Sequence, residues 1–129
     1  MQEDEHTQFL QKAEAVAAKY KLKHIGEGRH RRTYSTPSGR SVVKFATCRR
    51  GWSCNDLEAF LFAKYVSEKP TIFARCRMIV LGGVECLLME HVNEINGFGT
   101  PGLPPWVSSI DCGQVGYTRR GKLVAYDYA

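Results

Sequence analysis

The sequence predicts an α+β domain organised around an antiparallel sheet of about five strands, with one helix packed on it. Three observations predict it. The apolar residues repeat with a helical period as far as Lys21 and with a period of two after it. The turn signals "PSG", "GGV" and "RRG" each separate two short apolar runs, the pattern of hairpins. A second helical segment interrupts the strands between the first and second of those turns.

Residues 1–22 form the N-terminal helix. Acids fall in its first turn, where the helix dipole favours them, and Phe9, Leu10, Ala13, Val16, Ala17 and Tyr20 make one apolar stripe between about Asp4 and Lys21. Residues 23–92 carry the sheet and its helix. An extended piece leads into the strands "RRTYST" and "RSVVKFA", and "CRRGWSC" reads as a loop. The second helix is expected from Asn55 to Glu68, with Leu57, Phe60, Leu61, Lys64 and Tyr65 on one face. Asn55 followed three residues later by Glu58 has the spacing of a capping box. "IFARCRMIVLGGVECLLMEHV" reads as two strands around "GGV". Residues 93–105 are rich in Gly and Pro and read as a linker. Residues 106–129 end in the C-terminal hairpin "QVGYTRRGKLVAYDYA", whose second strand delivers Asp127. Val42, Val43, Leu57, Phe60, Leu61, Leu87, Leu88 and Met89 are the expected core.

A chain of 129 residues suits one domain with a modest core. With 43% apolar and 24% charged residues, wholesale disorder is excluded. No apolar run approaches the roughly 20 residues that span a bilayer. The start "MQEDEHTQ" is acidic, unlike a secretory leader, so a cytoplasmic protein without a membrane partner is expected. Cys48, Cys54, Cys76, Cys86 and Cys112 are odd in number and form no CxxC pair, which favours reduced thiols over zinc or disulfides. The net charge of +5 gathers in "GRHRR", "CRRG", "RCR" and "TRRG". Such clusters suit nucleic acid or an acidic protein face. No zinc finger, RNP motif or helix-turn-helix accompanies them, which disfavours base-specific recognition.

Three features carry candidate chemistry. Gly26 and Gly28 in "GEG" would let backbone N–H groups approach a phosphate, or make an ordinary turn. Lys44 interrupts an apolar strand, so its ammonium either alternates outward to solvent or meets an anion. Glu58 either caps its helix or reaches across the sheet to Lys44.

Taken in order, these residues resemble the small lobe and hinge of the protein kinases. "IGEGRHRRTY" resembles the glycine loop, Lys44 in "VVKFA" the strand lysine, and Glu58 the helix glutamate. "MEHV" resembles the hinge, "GQVGY" the end of the catalytic loop, and "YDYA" the metal-binding Asp motif. The likeness runs from about Lys23 to Ala129 and is strongest to the small kinase-like proteins of bacteriophages and bacteria. It implies a kinase-like N-lobe fold, nucleotide-binding roles for Gly26, Gly28, Lys44 and Glu58, and metal-binding roles for Gln114 and Asp127.

The departures from that family shape the expected function. Arg31 stands where the third glycine of the loop belongs, with Arg29, His30 and Arg32 around it. Ser109 stands at the catalytic Asp position, five residues before Gln114, which replaces the metal-binding Asn. Asp111 is the remaining candidate base, against a turn-forming role. Ala129 replaces the glycine after the Asp motif, and the segment before "GQVGY" is too short for two long helices. These departures imply an inactive kinase-like protein, without a cofactor, that binds or inhibits a host or bacterial protein through Arg29, Arg31 and Arg32, in the host cytoplasm if phage-encoded. The alternative is an active minimal kinase or nucleotide-binding protein using Asp111, ATP and Mg²⁺. A third reading is a basic protein that binds nucleic acid or competes for it.

Overall fold

A computed structural model describes residues 4–65, 72–110 and 113–128. The Asp4 carboxylate accepts the Thr7 N–H at 2.7 Å and caps helix α1, Glu5–Tyr20. Ala13, Val16 and Ala17 of the expected stripe are buried, and Phe9 and Leu10 are half-buried. Lys21 ends the helix in a left-handed conformation, φ 57°, and the Leu22 N–H bonds the Ala17 carbonyl at 2.8 Å.

The main sheet is antiparallel throughout. Its strands are β1 (Lys23–Glu27), β2 (Arg31–Ser35), β3 (Ser41–Ala46), β4 (Cys76–Leu81) and β5 (Val84–Glu90), in the spatial order β1-β2-β3-β5-β4. Register decides what each face holds, because directly opposed residues share a face. Val43 lies opposite Tyr34 and Leu88, and with Phe45 and Cys86 this set packs under α1. Val42 lies opposite Met89, and Lys44 opposite Thr33 and Leu87, on the other face. β3 is therefore covered on both sides, and Val42 through Ala46 are all buried.

Helix α2 runs Arg49–Tyr65, so its first two turns are the segment expected to be a loop. Gly51 explains the difference. A Cβ there would run into the His30 carbonyl and lie 2.8 Å from Ala46, so the glycine permits close helix–strand contact and does not break the helix. The buried face is also not the expected one. Gly51, Asn55 and Glu58 are buried, with Ala59 and Phe62 packed beside them. Leu57 is 43% exposed and Phe60 60% exposed, and Leu61 is half-buried. The sheet face beneath carries Arg31 and Lys44, so the helix turns its polar stripe inward. The expected helix end at Glu68 lies outside the described residues.

A second antiparallel sheet has the order β6-β7-β8, with β6 Val92–Asn96, β7 Gln114–Thr118 and β8 Leu123–Ala125. The C-terminal hairpin forms as expected. Residues 93–96, read as the start of a linker, belong instead to its third strand, Val92–Asn96, pairing from Val92 opposite Thr118 to Asn96 opposite Gln114. A 3₁₀ turn, Pro105–Ser109, seats the buried Val107 against Val115 and Ala125. Cys48, Cys54, Cys76 and Cys86 are free thiols, and burial pushes the Cys86 thiol up to about 11. Among the described residues, no helix is long and apolar enough to cross a membrane.

Candidate functional site

Four charged side chains from four elements converge between α2 and the two sheets. Arg31 opens β2, Lys44 lies in β3, Glu58 is in the middle of α2, and Asp127 follows β8. The position of β8 is held from outside: the Ala74 N–H bonds the Ala125 carbonyl at 2.8 Å, and the Ala125 N–H bonds the Ile72 carbonyl at 2.7 Å. The chain beyond it reaches the middle of α2, where the Tyr128 N–H meets Glu58.

Glu58 is fully buried and, among the described residues, accepts from Arg31, Lys44 and Tyr128. Arg31 Nη1 donates to Oε1 at 2.6 Å and Nη2 to Oε2 at 3.0 Å, a bidentate grip. Lys44 Nζ donates to Oε1 at 2.9 Å, and the Tyr128 N–H donates to Oε2 at 2.9 Å. Lys44 Nζ also donates to the Tyr126 carbonyl at 2.6 Å. Arg31 Nη2 reaches Asp127 Oδ1 at 2.7 Å, and its Nη1 reaches Asn55 Oδ1 at 3.2 Å. Asn55 Nδ2 completes the ring by donating to the Lys44 carbonyl at 3.0 Å.

Two cations thus face two carboxylates, and the charges balance. Burial works to raise the Glu58 pKa, but the Arg31 hydrogen bonds and the charges of Lys44 and Arg31 outweigh it and hold the carboxyl below its usual range. Burial pulls the Lys44 ammonium down, against the attraction of Glu58. Burial works against the Arg31 guanidinium as well, yet Glu58 and Asp127 raise its pKa overall.

The pair expected between Lys44 and Glu58 is therefore present, and Glu58 does not cap its helix. Asn55, expected as an N-cap, lies mid-helix within the network. Arg31 is the partner the sequence reading missed. Expected to face another protein, it is 8% exposed and its charge is spent inside the fold. Of the other two arginines, Arg32 is tied to Glu27 at 2.6 Å and Glu14 at 3.2 Å, and Arg29 is exposed. Ser109 lies apart on the 3₁₀ turn, its Oγ donating to the Trp106 carbonyl at 2.6 Å. Asp111, the candidate base, lies outside the described residues, as does Ala129.

Beside the network opens a cleft of about 690 Å³. Gly26, Gly28, Lys44, Met89, Gln114 and Asp127 are among the residues that line it. The Gly28 N–H bonds the Arg31 carbonyl at 2.8 Å and closes the turn between β1 and β2.

These residues do not fit the magnesium ion that the resemblance implied. Gln114 offers only a neutral amide, and the Oδ1 of Asp127 is held by Arg31. A divalent cation there would stand beside a guanidinium and an ammonium that already balance the local carboxylates. Among the described residues, no group of three His, Cys, Asp or Glu side chains is placed to hold a metal ion.

Comparison of the sequence with protein-family profiles and with curated proteins finds no match.

Proposed function

We propose that this chain is a catalytically inactive, kinase-like protein that works as a binding module, engaging or inhibiting a host or bacterial protein. One observation carries the reading: the Arg31 guanidinium lies between Glu58 and Asp127 and bonds both. In a phosphotransfer site of this class the helix glutamate orients the lysine, and the Asp holds the metal over the phosphates. Here an arginine from the chain itself takes both carboxylates. Lys44 is likewise engaged, by Glu58 and the Tyr126 carbonyl. Charge that would act on a substrate acts on the fold.

The second reading, a nucleotide-binding protein, is favoured by the cleft. Neither Gly26 nor Gly28 has a positive φ, and a Cβ at Gly26 would meet nothing within 4 Å. The fold does not itself require glycine there, which leaves an open approach to the cleft as its use.

Isothermal titration with ATP, with and without Mg²⁺, separates the two. The binding-module reading expects no heat of binding under either condition. Saturable binding that strengthens with Mg²⁺ would replace it with the nucleotide-binding reading.

A further inference from the structure

At the β5–β6 junction lies a second concavity of about 380 Å³, which shares His91 and Asn93 with the cleft beside the Arg31 network. It is lined by Ser38, Gly39, Arg40, His91, Asn93 and Arg119. These residues come from three separate places: the β2–β3 turn, the junction and its strand β6, and the β7–β8 turn. We propose that this concavity is a binding site for a phosphate-class oxyanion.

Charge is the first argument. Arg31, Arg32, Arg49 and Arg75 each have a carboxylate partner within 4.0 Å. Among the described residues, Arg40 and Arg119 have no such partner and no acidic side chain lines the cavity. Two unpaired guanidiniums facing one concavity repel each other, an arrangement that an anion relieves. Their planar forks match the oxygens of a phosphate group bidentately.

Rigidity is the second. The His91 N–H bonds the Arg40 carbonyl at 3.0 Å, and Ser41 lies opposite Glu90, so turn and junction are one backbone unit. Within the turn, the Arg40 N–H bonds Ser38 Oγ at 3.3 Å and the Gly39 N–H bonds the Thr36 carbonyl at 2.9 Å. Across the site, Asn93 pairs opposite Tyr117, which sets the strand leading to Arg119. Arginines on such a frame lose less freedom on binding than those on loose loops. Asn93 and Ser38 add neutral polar groups beside the two cations. The site does not depend on whether the chain is kinase-like.

The test is an amide chemical-shift titration of the ¹⁵N-labelled protein with inorganic phosphate and, separately, with O-phosphoserine, at constant ionic strength. Saturable shifts at Gly39, Arg40, His91 and Asn93 are expected, weakened about tenfold or more in R40A/R119A, which removes both charge-assisted contacts. Both arginines are exposed, so this variant should keep the parent spectrum elsewhere. R29A/R120A, with the same loss of charge, should bind like the parent. Tighter binding of O-phosphoserine assigns the site to a phosphorylated side chain, and tighter binding of inorganic phosphate to the free ion. Absence of saturation at those amides, or equal weakening by the two double variants, overturns the proposal.

Discussion

Glu58→Gln should destabilise the protein more than any other near-isosteric change in the buried network. The carboxylate accepts two bonds from Arg31, one from Lys44 and one from the Tyr128 N–H. Glutamine keeps one acceptor oxygen and turns the other into an NH₂ that faces donors. It also leaves two buried cations with no buried anion between them. Losing one partner of a buried pair costs about 3–5 kcal/mol, and this change belongs at the upper end. Arg31→Met is milder, about 2–3 kcal/mol, because Lys44 and Tyr128 still hold the carboxylate. Asp127→Asn should cost less than about 1 kcal/mol, since that side chain is 38% exposed and its pairing is screened by water. Urea unfolding followed by far-UV circular dichroism at pH 7 measures all three. The expected order is Glu58→Gln, then Arg31→Met, then Asp127→Asn. A companion variant, Arg31→Met with Lys44→Met and Glu58→Leu, should recover part of the loss, as apolar replacements of buried ion networks do. Glu58→Gln within about 1 kcal/mol of the parent, or Asp127→Asn as damaging as Glu58→Gln, would refute the reasoning.

The remaining expectations use the same measurement. Leu87→Ala should cost about 2–5 kcal/mol because Leu87 is 0% exposed, whereas Phe60→Ala, on the open face of α2, should stay within about 0.5 kcal/mol. Gly51→Ala should destabilise despite the better helix propensity of alanine, because its methyl group meets backbone at His30 and Ala46; a stabilised variant would show that α2 does not lie so close to β3. Stability should fall in acid in step with Glu58. Its folded pKa lies below the ordinary value of 4.5, so its contribution is complete above that pH and is lost as pH falls towards the folded value. The Glu58→Gln variant should therefore show a flatter acid limb, and an unchanged limb would assign the acid sensitivity to other carboxylates.

The strands and turns of the main sheet were legible because alternation and turn residues are local signals. The faces were harder to read. Lys44 alternating outward is the right reading for a half-exposed strand, but β3 is central and covered on both sides, so both of its faces are interior. Asn55 and Glu58, three residues apart, suit a capping box and equally share one face of a helix that starts earlier; only the contact at Gly51 decides between them. The pairing of Val92–Asn96 with Gln114–Thr118 spans a Gly- and Pro-rich segment, and no local pattern announces it. Arg31 left a usable trace. With a hairpin turning at "PSG", Arg31 and Thr33 fall on the face of Lys44, so a third charge near the Lys44–Glu58 pair follows from register alone.

The central claim is that the site's charges are spent on one another, so that no phosphoryl transfer occurs. It is tested most directly by incubating the pure protein with γ-labelled ATP, Mg²⁺ or Mn²⁺ and general acceptor proteins. On the kinase-like reading proposed above, Ser109 and Gln114 replace the proton acceptor and a metal ligand, and a positioned base alone contributes about 10²- to 10⁴-fold. The expected result is no label in the protein or in any acceptor, with the parent and Asp111→Asn indistinguishable. Label transfer by the parent that disappears in Asp111→Asn would contradict the account and make Asp111 the base of a working enzyme.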